Sequence, residues 1–365
     1  MSNPFTPNFG QVPLYMAGRR KILSKMTDVF EGDMHSPNLC SLFTGARGTG
    51  KTALLRLLGQ QAQSCGWLSV FTSSGSGLLE DVYEQTINNT TEFIEPGRKT
   101  RVKSVNIGKL IGVEFEKDTK RNLNWRSKMS NVLDKLTSQD IGLVIIVDEV
   151  DPKLNEVERL VATYQHFIGE GKKVSLLMAG LPNRISSLLN GKSISFLRRA
   201  NIEKLGKIAD ADVKSTFKKT VEGAGKTIND EALSLAVSAI EGFPYMIQLV
   251  GFYAWSESGK STIKKNEMTS GIALAQQAFQ TRVLDATLNE LTQREIEFLL
   301  EMTKDERFSK TTELSSRLNM ASGNVSAYKK RLLERGVIEE PRRGCLVFSL
   351  PHLRNYLPKY AEFFK

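Results

Sequence analysis

The chain has 365 residues, 40% hydrophobic and 25% charged, with a formal net charge of +10. That length suits two or three cores at about 100–200 residues per domain, and the composition excludes a disordered or fibrous chain. The longest apolar run, IGLVIIV at 141–147, is far short of the roughly 20 residues that span a bilayer, and the widely spaced Cys40, Cys65 and Cys345 exclude a disulfide framework and fit a reducing, cytoplasmic setting.

The opening stretch, MSNPFTPNFGQVPLYMAG, lacks the basic region and apolar block of a secretory signal. NLCSLFT then reads as a short strand, GARGTGKT at 45–52 as a glycine loop, and ALLRLLGQQAQSCG as a helix. The loop fits G-x-x-x-x-G-K-[ST] at every position, and strand, loop and helix follow in the order that this chemistry needs. Backbone N–H groups of Gly45, Ala46, Arg47, Gly48, Thr49 and Gly50 would converge on phosphate oxygens at a helix N-terminus. Lys51 would reach the outer phosphates, and the Thr52 hydroxyl would serve Mg²⁺.

WLSVFTSS reads as a second strand and GLLEDVYEQTINNTTEFI as a helix. The segment 97–121 alternates Val102, Val105, Ile107, Ile111, Val113 and Phe115 between glycines, which predicts a β-hairpin. Its polar face carries Arg101, Lys103, Lys109, Lys117 and Lys120, either a basic arm for DNA or a solvated flank. IGLVIIVDEVD supplies a strand buried on both faces that ends in acid. Asp148 would hold the metal, and Glu149 would polarise a water for attack on the terminal phosphate. Guanine-reading N-K-x-D and T-K-x-D are absent, so ATP is the expected nucleotide. KKVSLLMAG gives a further buried strand ending in GLPN. Alternating strands and helices predict an α/β core with a parallel sheet and the ligand beyond its carboxyl edge.

From about 207 strands are not expected. Four helices follow, with Asp210 and Asn229 as N-caps and Gly242 as a C-terminal cap. The tail reads LTQREIEFLLEMT, TTELSSRL and SGNVSAYKKRLLERG as three helices, then VIEE, the turn PRRG, and CLVFSL. That order describes a winged helix, whose third helix enters the major groove while the wing touches backbone. The third helix offers Asn324, Ser326, Tyr328, Lys329, Lys330 and Arg331, and the wing Arg342 and Arg343. Cations would meet phosphates, and Asn324 and Ser326 base edges. Glu334, Glu339 and Glu340 dilute this patch, so packing on protein is the competing reading. The expected organisation is a P-loop core over 1–206, a small helical lid over 207–284 and a winged-helix domain over 285–365.

Taken together, NPFTPNFGQVPLYMAGRR at the start, GARGTGKT, VDEVD, MAGLP, EGFPYMIQ and the winged tail resemble AAA+ P-loop ATPases of the origin-recognition and STAND-like branch. The nearest likeness is to bacterial ATP-binding proteins with a carboxyl-terminal winged helix. The resemblance places Gly18 and Arg19 against adenine and makes Asn183 the candidate γ-phosphate sensor. It makes Arg198 or Arg199 the finger for a neighbouring subunit in a homo-oligomer. The lid stretch GFPYMIQ lacks the arginine common in AAA+ lids and is similar to the G-x-P feature of STAND switches, with Pro244 near the nucleotide. ATP or ADP and Mg²⁺ are the implied cofactors, and slow hydrolysis in a nucleotide-controlled switch is the implied activity. Double-stranded DNA and a protein partner are the two alternatives for what the switch acts on.

Overall fold

Alternation of apolar residues fixes the core of the protein. The computed structural model describes residues 2–8, 10–92, 124–191, 195–259 and 262–362. The hairpin expected near 98–120 lies outside the described residues. In chain order come α1 (Arg20–Glu31), β1 (Cys40–Thr44), α2 (Lys51–Ser64), β2 (Leu68–Ser73), α3 (Leu78–Glu92), α4 (Trp125–Ser138), β3 (Leu143–Asp148), α5 (Asn155–Gly169), β4 (Val174–Gly180), α6 (Pro182–Leu189) and β5 (Asn201–Lys204). The five strands form one parallel sheet in the order β2-β3-β4-β1-β5. Successive side chains on a strand point to opposite faces. Leu143, Ile145 and Val147 therefore pack under α3, α4 and α5, while Val144 and Ile146 meet α1 and α2. Every residue of β3 and β4 is buried, as expected for strands covered on both faces.

Strand order sets the site. β4 lies between β1 and β3, and neighbouring strands are about 4.8 Å apart. The carboxyl ends of β1 and β3 thus lie about 10 Å apart, within reach of two facing side chains.

A helical region follows: α7 (Asp210–Gly223), α8 (Asp230–Ile240), α9 (Pro244–Glu257) and α10 (Lys265–Phe279). A π-helical turn at Gln280–Leu284 carries α10 into α11 (Asp285–Leu288) without a break. Strands do not wholly stop at 207, because β6 (Thr227–Ile228) pairs in parallel with β7 (Thr262–Ile263). Asn229 caps α8 by accepting from the Ala232 N–H at 2.8 Å. Asp210 is instead the first helical residue of α7, and Ala209 holds the cap position. Gly242 follows the left-handed cap residue Glu241, itself left-handed at φ +71°.

The tail contains α12 (Gln293–Thr303), β8 (Ser309–Lys310), α13 (Thr311–Arg317), α14 (Ser322–Glu334), β9 (Ile338–Arg342), β10 (Cys345–Phe348) and α15 (Leu353–Glu362). Its sheet is antiparallel in the order β8-β10-β9. Sequence reading missed β8, which is only two residues long, and α15, whose Tyr360 donates to Asn289 at 2.8 Å. A single apolar cluster runs from Phe5 and Phe217 through Leu249 to Phe298 and Leu346, so helical region and tail share one core. The tail meets the sheet domain where α14 packs against α6. Among the described residues, no helix is long and apolar enough to cross a membrane.

Candidate functional site

The loop between β1 and α2 is shaped by what surrounds it. Gly48 has φ +79°, and a Cβ there would lie 2.6 Å from the Phe243 ring, so only glycine fits under the start of α9. The Gly48 carbonyl accepts from the Tyr245 N–H at 3.2 Å. Pro244 covers Gly50, whose Cβ would stand 3.6 Å from the proline ring. The helical region is therefore already seated on the phosphate loop.

Lys51 opens α2, whose first-turn N–H groups have no intrahelical partner. Its ammonium donates to the Gly45 and Ala46 carbonyls, both at 2.8 Å. Burial pushes its pKa down to about 8, against the pull of Asp148 and Glu149. Asp148 ends β3, is 4% exposed, and accepts from the Thr52 hydroxyl. This contact spans the gap between β1 and β3. The Glu149 N–H donates to Asp148 Oδ1 at 2.9 Å. Glu149 has φ +52°, a region that costs a non-glycine residue about 1–3 kcal/mol, and its side chain is exposed beyond the strand end.

These groups line a cavity of about 620 Å³, within the range of about 300–1,000 Å³ usual for ligand pockets. Its wall includes Lys51, Thr52, Asp148, Glu149, Arg19 and Pro244. Arg19 is 8% exposed and donates to the Gly206 carbonyl at 3.0 Å and the Thr49 carbonyl at 3.4 Å. Burial lowers its pKa, yet a guanidinium remains charged at neutral pH. The residues present fit a polyphosphate with a divalent cation. The loop supplies orphan N–H donors and an ammonium, and a hydroxyl and a carboxylate already face each other where a hard cation would sit.

Comparison with known proteins agrees with this geometry. Residues 34–189 match the AAA domain family, and residues 281–357 match a domain of unknown function (DUF8462). The Walker-type ATPase PABY2304 of Pyrococcus abyssi is 12% identical, with a TM-score of 0.65 over 94% of this chain and 96% of that one. The ORC2 protein of Aeropyrum pernix, solved in ADPNP–ADP complexes, is 11% identical, with a TM-score of 0.63 over 98% of each chain. No curated protein sequence matches. The core is that of a P-loop NTPase. At such identities the solved structures establish the fold alone.

Several side chains on the walls of the P-loop cleft were not legible in the sequence. Arg282, on the π-helical turn, lines it and approaches the Tyr245 hydroxyl at 3.4 Å. The segment before α1 forms another wall. Asn3 donates to the Phe252 carbonyl and the Thr6 N–H to Gln248, both at 3.0 Å, while the Tyr245 hydroxyl donates to the Pro7 carbonyl at 3.3 Å. A short apolar and proline-rich stretch carries no periodicity that would announce such a role.

Other expected residues lie elsewhere. Asn183 does not line the P-loop cleft. It accepts from the Arg184 N–H at 2.9 Å and borders a second cavity of about 210 Å³. Arg184 links the two places by donating to the Glu149 carbonyl at 3.2 Å. Arg198 and Arg199 are exposed on the turn Ser195–Arg199, where Arg198 donates to the Leu189 carbonyl at 3.0 Å, and neither borders the cleft. In the tail, Asn324, Ser326, Lys330, Arg331, Arg342 and Arg343 are exposed, while Tyr328 is half-buried under Arg331. Lys329 pairs with Glu340 at 3.0 Å, and Arg331 lies 3.5 Å from the fully buried Glu295.

Proposed function

We propose that the protein is an ATP-binding and ATP-hydrolysing switch of AAA+ type whose nucleotide state governs duplex DNA binding by its tail. The observation that carries this reading is the meeting of Lys51, Thr52 and Asp148 at the ends of β1 and β3, with Glu149 just beyond. Mg²⁺, held by Thr52 and Asp148, would supply charge neutralisation of the phosphates. Lys51 would leave the Gly45 and Ala46 carbonyls for phosphate oxygens. Glu149 would accept a proton from water, with its backbone fixed by Asp148 and Arg184. Arg19 and Pro244 would hold the adenosine end and the loop.

We read the tail as a winged helix in which Asn324, Ser326, Tyr328, Lys329, Lys330 and Arg331 face DNA and Arg342 and Arg343 contact phosphates. The supporting fact is that five exposed side chains of α14 and β9 with its turn are cationic or amide. Neutralising several phosphates would make affinity fall steeply with salt. The test is a salt-titrated duplex-binding assay with ATP, with ADP and without nucleotide. A slope of log affinity on log salt near zero in all three overturns DNA binding.

A second reading has its own observation. Lys329 and Arg331 are already paired within the tail, and α14 packs on α6. In that reading the switch acts on a protein partner and the tail is a packing module. An arginine finger from Arg198 or Arg199 would make either form a homo-oligomer, tested by nucleotide-dependent sedimentation.

A further inference from the structure

The second cavity, of about 210 Å³, is walled largely by cations. Arg47 comes from the phosphate loop, Arg184 from α6 and Arg335 from the residue after α14, and Glu290 is the carboxylate set against these three guanidiniums. Arg47 meets Glu290 at 2.7 Å, and Arg335 lies 3.5 Å from Glu295. Arg184 has no such partner. Among the described residues its guanidinium donates only to the neutral Glu149 carbonyl, at 3.2 Å, and no carboxylate pairs with it. Most of its N–H donors are therefore left over. Asn183 borders the same space. Its oxygen accepts from the Arg184 N–H at 2.9 Å, and its amide nitrogen donates to no described residue.

Guanidiniums suit a tetrahedral oxyanion, because Arg can bind phosphate through two parallel N–H···O bonds. The cavity is smaller than the range of about 300–1,000 Å³ usual for larger ligands, so it fits a small ion with a few waters and not a nucleotide. Position gives the source of the ion. Arg47 and Glu290 border both the cavity and the P-loop cleft. Arg184, on the cavity side, holds the backbone of Glu149, on the cleft side. In ATP hydrolysis the water oxygen bonds to the γ-phosphorus, and the bond from that phosphorus to the bridging oxygen breaks. One water proton goes to Glu149, the other stays on the phosphate, and ADP keeps the bridging oxygen. The freed phosphate starts beside Glu149 while ADP still fills the cleft.

We propose that the cavity bordered by Arg184, Arg335 and Asn183 is an oxyanion subsite that receives the phosphate product before it leaves the protein. Its place after hydrolysis rests on the functional reading above; its affinity for phosphate does not. Glu290 works against the ion, since like charge on the wall weakens the hold and favours departure.

The probe is inorganic phosphate, titrated by calorimetry into the full chain in two backgrounds that take the phosphate loop out of play. One is saturating ADP with Mg²⁺, and the other is Lys51→Ala without nucleotide. Both should show one site of matching affinity. Arg335→Gln should weaken it about tenfold or more, through lost charge-assisted bonds. Glu290→Gln should tighten it by up to about fivefold, a gain that misfolding cannot imitate. Absence of saturable heat in either background, or affinities indifferent to both substitutions, overturns the subsite. The product role is read from steady-state hydrolysis with added phosphate. Inhibition should persist at excess ATP, and Arg335→Gln should raise the inhibitory concentration about tenfold. Inhibition relieved by excess ATP, or none where the calorimetric site is full, overturns the product role. Saturable binding to Lys51→Ala with no ATP turnover by the unsubstituted chain supports the subsite and overturns the hydrolysis reading instead.

Discussion

The carboxyl edge of the sheet and the tail are held in place by different physics. At the sheet edge, Lys51, Thr52 and Asp148 sit on elements whose side chains fill a continuous core, so strand order fixes their positions. At the tail, close packing of Gly336 on the single small residue Ala46 is joined by a half-exposed ion pair between Arg47 and Glu290, which are 243 residues apart in sequence. Buried apolar packing gives a rigid site, whereas exposed pairs give an interface that modest free energies can shift.

The comparison can be broken at several points. The largest expected effect is on turnover. Glu149→Gln should lower the ATP hydrolysis rate about 10²–10⁴-fold, the range for loss of a general base, with nucleotide affinity retained. Steady-state hydrolysis beside equilibrium binding checks both halves, and unchanged turnover removes Glu149 from the chemistry. Next, Lys51→Ala should weaken ATP binding about 10²-fold or more, from lost charge-assisted bonds worth about 1.5–3 kcal/mol each. Fluorescent-nucleotide titration measures it.

On the structural side, Ile145→Ala at the centre of the sheet should cost about 2–5 kcal/mol of stability. Glu290→Ala should change stability by no more than about 1 kcal/mol. Denaturant unfolding of the two proteins tests whether the contrast between regions is real.

A smaller effect concerns pH. Lys51 has a pKa of about 8 in the free protein because burial disfavours its charge. Bound phosphates favour the ammonium, so the complex holds its proton to a higher pH. Affinity should be full below pH 8 and fall by up to about tenfold per pH unit as pH rises through the window above it. Calorimetry at pH 8 in buffers of different ionisation enthalpy should report proton uptake on binding.

How much of this was legible follows from the same contrast. GARGTGKT and VDEVD were readable because each site residue adjoins its own strand, and a run such as LVIIV, short and rich in β-branched residues, reads as a covered strand rather than a helix. Asn229 was readable as a cap because the side-chain oxygen and the Ala232 N–H that donates to it lie within one turn. Asp210 misled by one position, since an acid suits the first turn as well as the cap. Arg282, Glu290 and the part of the wall given by Thr6, Asn8, Tyr15 and Met16 were not readable from local pattern, although the resemblance pointed to Arg19 at the end of that segment. Their roles arise only when distant segments are folded together, and nothing local marks them. β8 was too short for any periodicity to show.

The most direct measurement is a crystal structure with Mg²⁺ and a non-hydrolysable ATP analogue. The account predicts phosphates on the loop between β1 and α2, Lys51 Nζ moved from the Gly45 and Ala46 carbonyls to the outer phosphates, and the metal between Thr52 and Asp148. A nucleotide bound outside this cleft, or inside it with Lys51 still on those two carbonyls, would contradict it.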